Sequence, residues 1–182
     1  MSRLPLPSPE TMTAEQRKVH EDIRTGPRGG VGGPFPVLLI SPSCADSLQK
    51  LGAYLRYETP LSARVRELAT IIAARHWTCQ IEWQSHEPLA IKAGVPAALV
   101  EAIKSRGKPT FDDPQDKAVY EVSTELLNKG TLSEATHKSG LQSLGAQSLV
   151  ELVVLIGYYT TLAMTINAHG IAPKPGGSLL AP

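Results

Sequence analysis

Arg66-Glu67-Leu68-Ala69-Thr70-Ile71-Ile72-Ala73-Ala74-Arg75-His76-Trp77-Thr78-Cys79-Gln80-Ile81-Glu82-Trp83-Gln84-Ser85-His86 is the stretch on which the fold turns. Val65, Leu68, Ala69 and Ile72 recur at helical spacing, which predicts a helix that Thr59-Pro60 starts and that runs to about Trp77. A short break near Thr78 separates it from a second helix over 79–87, which Pro88 should kink or end. An α-helix turns about 100° per residue, so residues three, four and seven apart share a stripe. Cys79, Glu82 and His86 therefore face one way, with Trp83 beside them.

Outward from this pair, helix signals follow one another along the chain. Thr13 and Gln16 form a capping box for a helix to about Arg24. Gly26 to Pro34 is too rich in glycine and proline for regular structure. Ser43 is placed to cap a helix through Leu48, Leu51 and Leu55 to about Tyr57. After a stop at Gly94, Pro96 opens a short helix to Ser105, and Asp113-Pro114 caps another that ends near Gly130. Thr131 and Glu134 suggest a capping box for 132–139, and a strongly apolar helix spans about Ala146 to His169. No stretch alternates convincingly as a strand, so the expected class is all-α. The division expected is an N-terminal arm and short helix over 1–42, a helical domain over 43–170 and a Pro/Gly-rich tail over 171–182. Both ends read as arms that lie on a neighbour or stay mobile.

The 182 residues, 42% hydrophobic and 19% charged, suffice for a real core. A net charge of +1 argues against a nucleic-acid partner, which needs clustered Lys and Arg. No uninterrupted apolar run approaches the ~18 residues of a membrane span, and the N-terminal residues include no apolar segment of signal-peptide length. Two cysteines, Cys44 and Cys79, make no disulfide framework. The expectation is a cytoplasmic protein with no membrane partner.

Acid/base chemistry concentrates in the quoted stretch. A carboxylate one turn from His86 orients the ring and makes it a usable acid or base near neutral pH. Glu82 either polarises His86 or is itself the proton donor. Glu67 lies among Ala63, Ile71 and Ala74, so it either points inward towards a partner or is solvated by Arg64 and Arg66. Cys79 begins its helix, where free N–H groups favour a thiolate; an inert packed thiol is the alternative. His76 and Trp77 could line the same pocket, and Arg75 or Arg64 could hold a substrate carboxylate. Tyr158, Tyr159 and His169 could close it. Glu82 and His86 could give two metal ligands, but no further set accompanies them, so no metal is expected. The Gly29–Gly33 loop lacks the context of a phosphate site.

The stretch Arg66–His86, followed by Ala90-Ile91-Lys92-Ala93-Gly94, resembles the carboxymuconolactone decarboxylase family, which includes the alkyl hydroperoxidase D proteins. Redox members of that family show a glutamate, then Cys-x-x-Cys, then a histidine four residues on. Glu67, Cys79 and His86 fall on three of these positions, while Glu82 stands where the second cysteine would be. The resemblance covers roughly residues 55 to 140. It implies a single-domain helical bundle, a homo-oligomer (a trimer or hexamer) and a pocket with His86, Glu82, Glu67 and Cys79 as catalytic residues. Trp83, His76, Trp77 and Arg75 would then contact a small-molecule substrate. The activity expected is a cofactor-independent, lyase- or isomerase-type reaction on a small carboxylated, lactone-like molecule, in aromatic-compound breakdown. The alternatives are a thiol-dependent peroxidase or reductase centred on Cys79, and a non-catalytic oligomeric binding protein. An apolar helix over Leu149–Thr165 is also an independent reason to expect self-association.

Overall fold

A computed structural model describes residues 2–182. Among them are helices α1 (Ala14–Thr25), α2 (Phe35–Leu38), α3 (Pro42–Tyr57), α4 (Ala63–His76) and α5 (Gln80–Lys92). α6 (Ala97–Lys104), α7 (Pro114–Lys129), α8 (Glu134–Leu144) and α9 (Ala146–Ala168) follow. No strand occurs among the described residues, so the class is all-α as the sequence predicts. The chain forms two compact units: residues up to Thr59 with Met164–Ala172, and Pro60–Ala163 with Pro173–Pro182.

In the first unit α1 and α2 pack on α3. The capping box forms: Gln16 N–H donates to Thr13 Oγ1 at 3.2 Å and Thr13 N–H to Gln16 Oε1 at 2.9 Å. Ser43 does not cap α3, which begins one residue earlier with Pro42 in its first turn. The Ser43 hydroxyl donates instead to Glu15 Oε1 on α1 at 3.0 Å. The N-terminal arm is held by its own chain, since Arg3 N–H donates to His169 O at 2.8 Å.

The second unit is built round α4, which is buried without interruption from Leu68 to Arg75. α5, α6 and α7 pack on it, and α8 packs on α7. α4 starts at Ala63 rather than at Thr59-Pro60, because Ser62 Oγ accepts from Val65 N–H and supplies the cap. Asp113 caps α7 through Gln115 N–H at 2.8 Å, and Gly130 closes it at φ +70°. α8 is capped by Ser133, not Thr131, and runs on to Leu144. Pro88 neither ends nor breaks α5, which continues to Lys92. Pro88 sits on the exposed face, where water can take the carbonyl its missing N–H leaves free.

α9 has 23 residues and is long and apolar enough to cross a membrane by length and composition, with half of its most apolar window buried in the protein. Counting uninterrupted apolar residues misses this, because Glu151, Gly157 and a run of tyrosines and threonines break up the stretch. The C-terminal tail is strapped along α5. Gln84 Oε1 accepts from Lys174 N–H at 3.0 Å while its amide donates to Lys174 O at 3.1 Å. Gln80, one turn earlier, clasps Leu180 in the same way at 2.8 and 2.9 Å. Ser178 Oγ between them accepts from Lys104 Nζ at 2.6 Å.

Candidate functional site

α4 and α5 are joined by a turn too short to be anything but a reversal. Trp77 is the C-cap, Thr78 takes φ +47°, and Cys79 N–H returns to Ala74 O at 2.8 Å. A β-branched residue is costly in the left-handed region. Thr78 is held there by two donors on its hydroxyl oxygen, Arg75 Nη1 and Arg106 Nη2, each at 3.2 Å. α5 then lies back along α4, burying Glu82, Trp83, His86 and Ala90. The inward stripe of this helix thus carries a carboxylate and an imidazole where apolar side chains would pack at lower cost.

On that stripe His86 is 4% and Glu82 5% exposed. His86 Nδ1 lies 2.6 Å from Glu67 Oε2 across the α4–α5 contact, a short and charge-assisted distance. The other ring nitrogen, Nε2, is 3.5 Å from Glu82 Oε2. The two carboxylates bracket the ring, Glu67 at Nδ1 and Glu82 at Nε2, and hold its orientation. The Tyr159 ring meets the imidazole edge-on at 5.0 Å, and Tyr158 meets Tyr159 the same way at 5.4 Å. Glu67 is not solvated by the arginines on its own helix. Arg66 donates to Leu61 O at 2.6 Å, and Arg64 grips Asp116, with Nε 2.9 Å from Oδ1. That fork leaves Arg64 committed to a protein carboxylate rather than to a substrate.

Cys79 is fully buried and occupies the N-cap position. The activated thiolate suggested by its place at a helix start is corrected by its surroundings. Burial pushes the thiol up to about 12, the Glu82 carboxylate adds to the rise, and the N–H groups of Glu82 and Ile81 only partly offset it. Cys44 is exposed, and both cysteines are free.

The remaining candidates separate. Trp83 is fully buried and its N–H reaches Ser178 of the tail at 3.4 Å. Trp77 donates to Thr160 at 3.2 Å and stands edge-on to His76. Arg75 and His76 line a cavity of about 190 Å³ with Ile103, Arg106, Tyr120 and others, and none of Glu67, Cys79, Glu82 or His86 lines it. Burial and the nearby Arg106 hold the His76 imidazole below its ordinary value. Arg106 escaped the sequence reading, and only its position just after an apolar helix could have hinted at it. His169, at the far end of α9, belongs to the other unit and accepts from Arg3 through its carbonyl. Among the described residues no group of three His, Cys, Asp or Glu is arranged to hold a metal ion.

The all-α architecture defines the class of fold. It is the alkylhydroperoxidase D-like fold. The chain is similar to a crystal structure titled an alkylhydroperoxidase AhpD core, an uncharacterised peroxidase-related protein from Ralstonia eutropha JMP134. The TM-score is 0.77 at 14% identity, covering 96% of this chain and 93% of that one. No family model matches the sequence, and no curated protein matches it.

Proposed function

We propose that this protein is a cofactor-independent enzyme that moves protons on a small carboxylated, lactone-like substrate through His86, Glu67 and Glu82. The observation that carries the reading is the part-buried 2.6 Å contact between His86 Nδ1 and Glu67, with Glu82 3.5 Å from the opposite nitrogen. In a decarboxylation of this class the carbon–carbon bond to CO₂ breaks and its electron pair passes onto a conjugated carbonyl as a dienolate. The Nε2–H of protonated His86 then delivers a proton to carbon, and Glu67 stabilises the imidazolium while it exists. Glu82, 3.5 Å from Nε2, then passes His86 a replacement proton drawn from water. Isomerisation of a double bond uses the same groups without loss of CO₂: neutral His86 takes a proton from one carbon and returns it to another.

A thiol peroxidase is the second reading, favoured by the likeness in fold to a peroxidase-related protein. The buried, protonated Cys79 weighs against it, as does a carboxylate in place of a partner thiol. The two readings separate in one experiment. Unsaturated lactone carboxylates are incubated in D₂O with the full chain, and deuterium uptake and CO₂ release are followed by NMR. His86→Gln and Glu67→Gln should lower turnover by about 10²- to 10⁴-fold, while Cys79→Ser keeps most of it. Peroxide consumption that disappears in Cys79→Ser, with no lactone turnover, would replace this proposal with the redox one.

A further inference from the structure

Of the lysines and arginines among the described residues, Arg75 alone is buried, at 5% exposed. Its Nε has no hydrogen-bond partner, and its Nη1 reaches only the neutral hydroxyl of Thr78. Arg106 shares that same acceptor. No carboxylate pairs with either guanidinium among the described residues, so two positive charges meet on one side of the cavity with nothing to neutralise them. Burial, and then repulsion from Arg106, hold Arg75 below its ordinary value. A buried charge without a partner is costly, and chains keep few of them without a reason.

The rest of the wall narrows what would fit. Ile72, Ile103 and Leu127 give it an apolar side and Asn128 adds an amide. The volume of about 190 Å³ exceeds the roughly 150 Å³ that suffices for benzene in an apolar cavity, which leaves room for a charged group on a ring or short chain. We propose that this cavity is a binding site for a small organic carboxylate, its oxygens held by the Arg75 and Arg106 guanidinium groups and its hydrocarbon part by Ile72, Ile103 and Leu127. The site is distinct from the proton-transfer centre. On α4, Ile72, Arg75 and His76 fall between about 80° and 180° round the axis from Glu67, and neither Glu67 nor His86 touches the cavity. A carboxylate suits the fork of an arginine, and the apolar side prefers it over an inorganic anion.

Calorimetric titration of the full chain with benzoate, pentanoate, benzamide and inorganic phosphate tests this. At least one of the two carboxylates should bind, benzamide should not, and phosphate should bind at least about tenfold more weakly. Arg75→Gln and Arg106→Gln should each weaken the carboxylate by at least about tenfold. Arg106 is exposed, so its variant reports on the site even if the buried one folds poorly. His86→Gln should leave the affinity unchanged, which keeps the outcome independent of the catalytic proposal. Failure of both carboxylates to bind, equal binding of benzamide or phosphate, wild-type affinity in Arg106→Gln, or loss of binding in His86→Gln would each overturn it.

Discussion

At Cys79 two local effects oppose one another, and their sizes decide the chemistry. A helix start offers N–H groups to a thiolate, worth a fraction of a pKa unit to a few units where water can reach. Full burial beside Glu82 outweighs them and lifts the thiol from 9.0 to about 12. The folded value is raised, so the neutral thiol favours folding below the unfolded value near 9. Above it, the unfolded state releases its proton while the folded state keeps one. Stability should therefore fall by roughly 1 kcal/mol per pH unit from about pH 9 towards 12. Urea midpoints measured across that range should show the decline, and Cys79→Ala should remove this share of it. Glu82→Gln takes away one of the raising influences, so the thiolate absorbance near 240 nm should appear at lower pH in that variant. His86 shows the same dependence on surroundings, since nothing in its own stripe names Glu67 as the partner 2.6 Å away.

Between elements, a two-pronged ion pair joins α4 to α7 through Arg64 and Asp116. The Asp116 side chain is 4% exposed and that of Arg64 31%, so the pair is neither fully screened nor fully dry. Removing the acid strands the cation; removing both with apolar residues strands nothing. Asp116→Ala should cost about 2 kcal/mol in urea unfolding, reduced from the fully buried case by the partial exposure of Arg64. The double change Arg64→Leu with Asp116→Leu should recover most of that loss. A double variant no more stable than the single one would show that the pair matters through geometry rather than through its uncompensated charge. The elements themselves follow local rules well: Thr13, Asp113 and Gly130 mark helix ends where the chain places them. The rules fail where two signals compete, as at Ser62 against Pro60 and at Ser133 against Thr131. In both places the residue whose hydroxyl oxygen accepts from the backbone N–H three positions on wins the cap.

For the molecule as a whole, the tail of the second unit is a strap rather than a loose end. Gly177 comes so close to the Gln84 side chain that an added Cβ would collide with its amide. Gly177→Val should therefore break the clasp at Lys174 and loosen the one at Leu180. Hydrogen exchange at those two amides, each bonded to a glutamine oxygen in the parent, should accelerate by tenfold or more. Helix secondary structure elsewhere in the unit should stay unchanged. Unaltered exchange at Lys174 would mean that the strap is held by Ser178 and Leu180 alone. The release also bears on Trp83, whose indole N–H faces Ser178, so a red shift of its emission is the accompanying sign.

Helical periodicity, caps and breakers in the chain suffice for an all-α protein, for the α4–α5 hairpin, and for Cys79, Glu82 and His86 lying on one stripe. Those are short-range consequences of 3.6 residues per turn and need no knowledge of neighbours. Tertiary structure alone decided what the stripe faces. It paired His86 with Glu67, silenced Cys79 by burial, carried Arg75 and His76 round α4 into a separate cavity with Arg106, and laid a proline- and glycine-rich tail on α5. Each of these depends on contacts between residues far apart in sequence and on how much water remains around a charge. Neither quantity is written in local spacing.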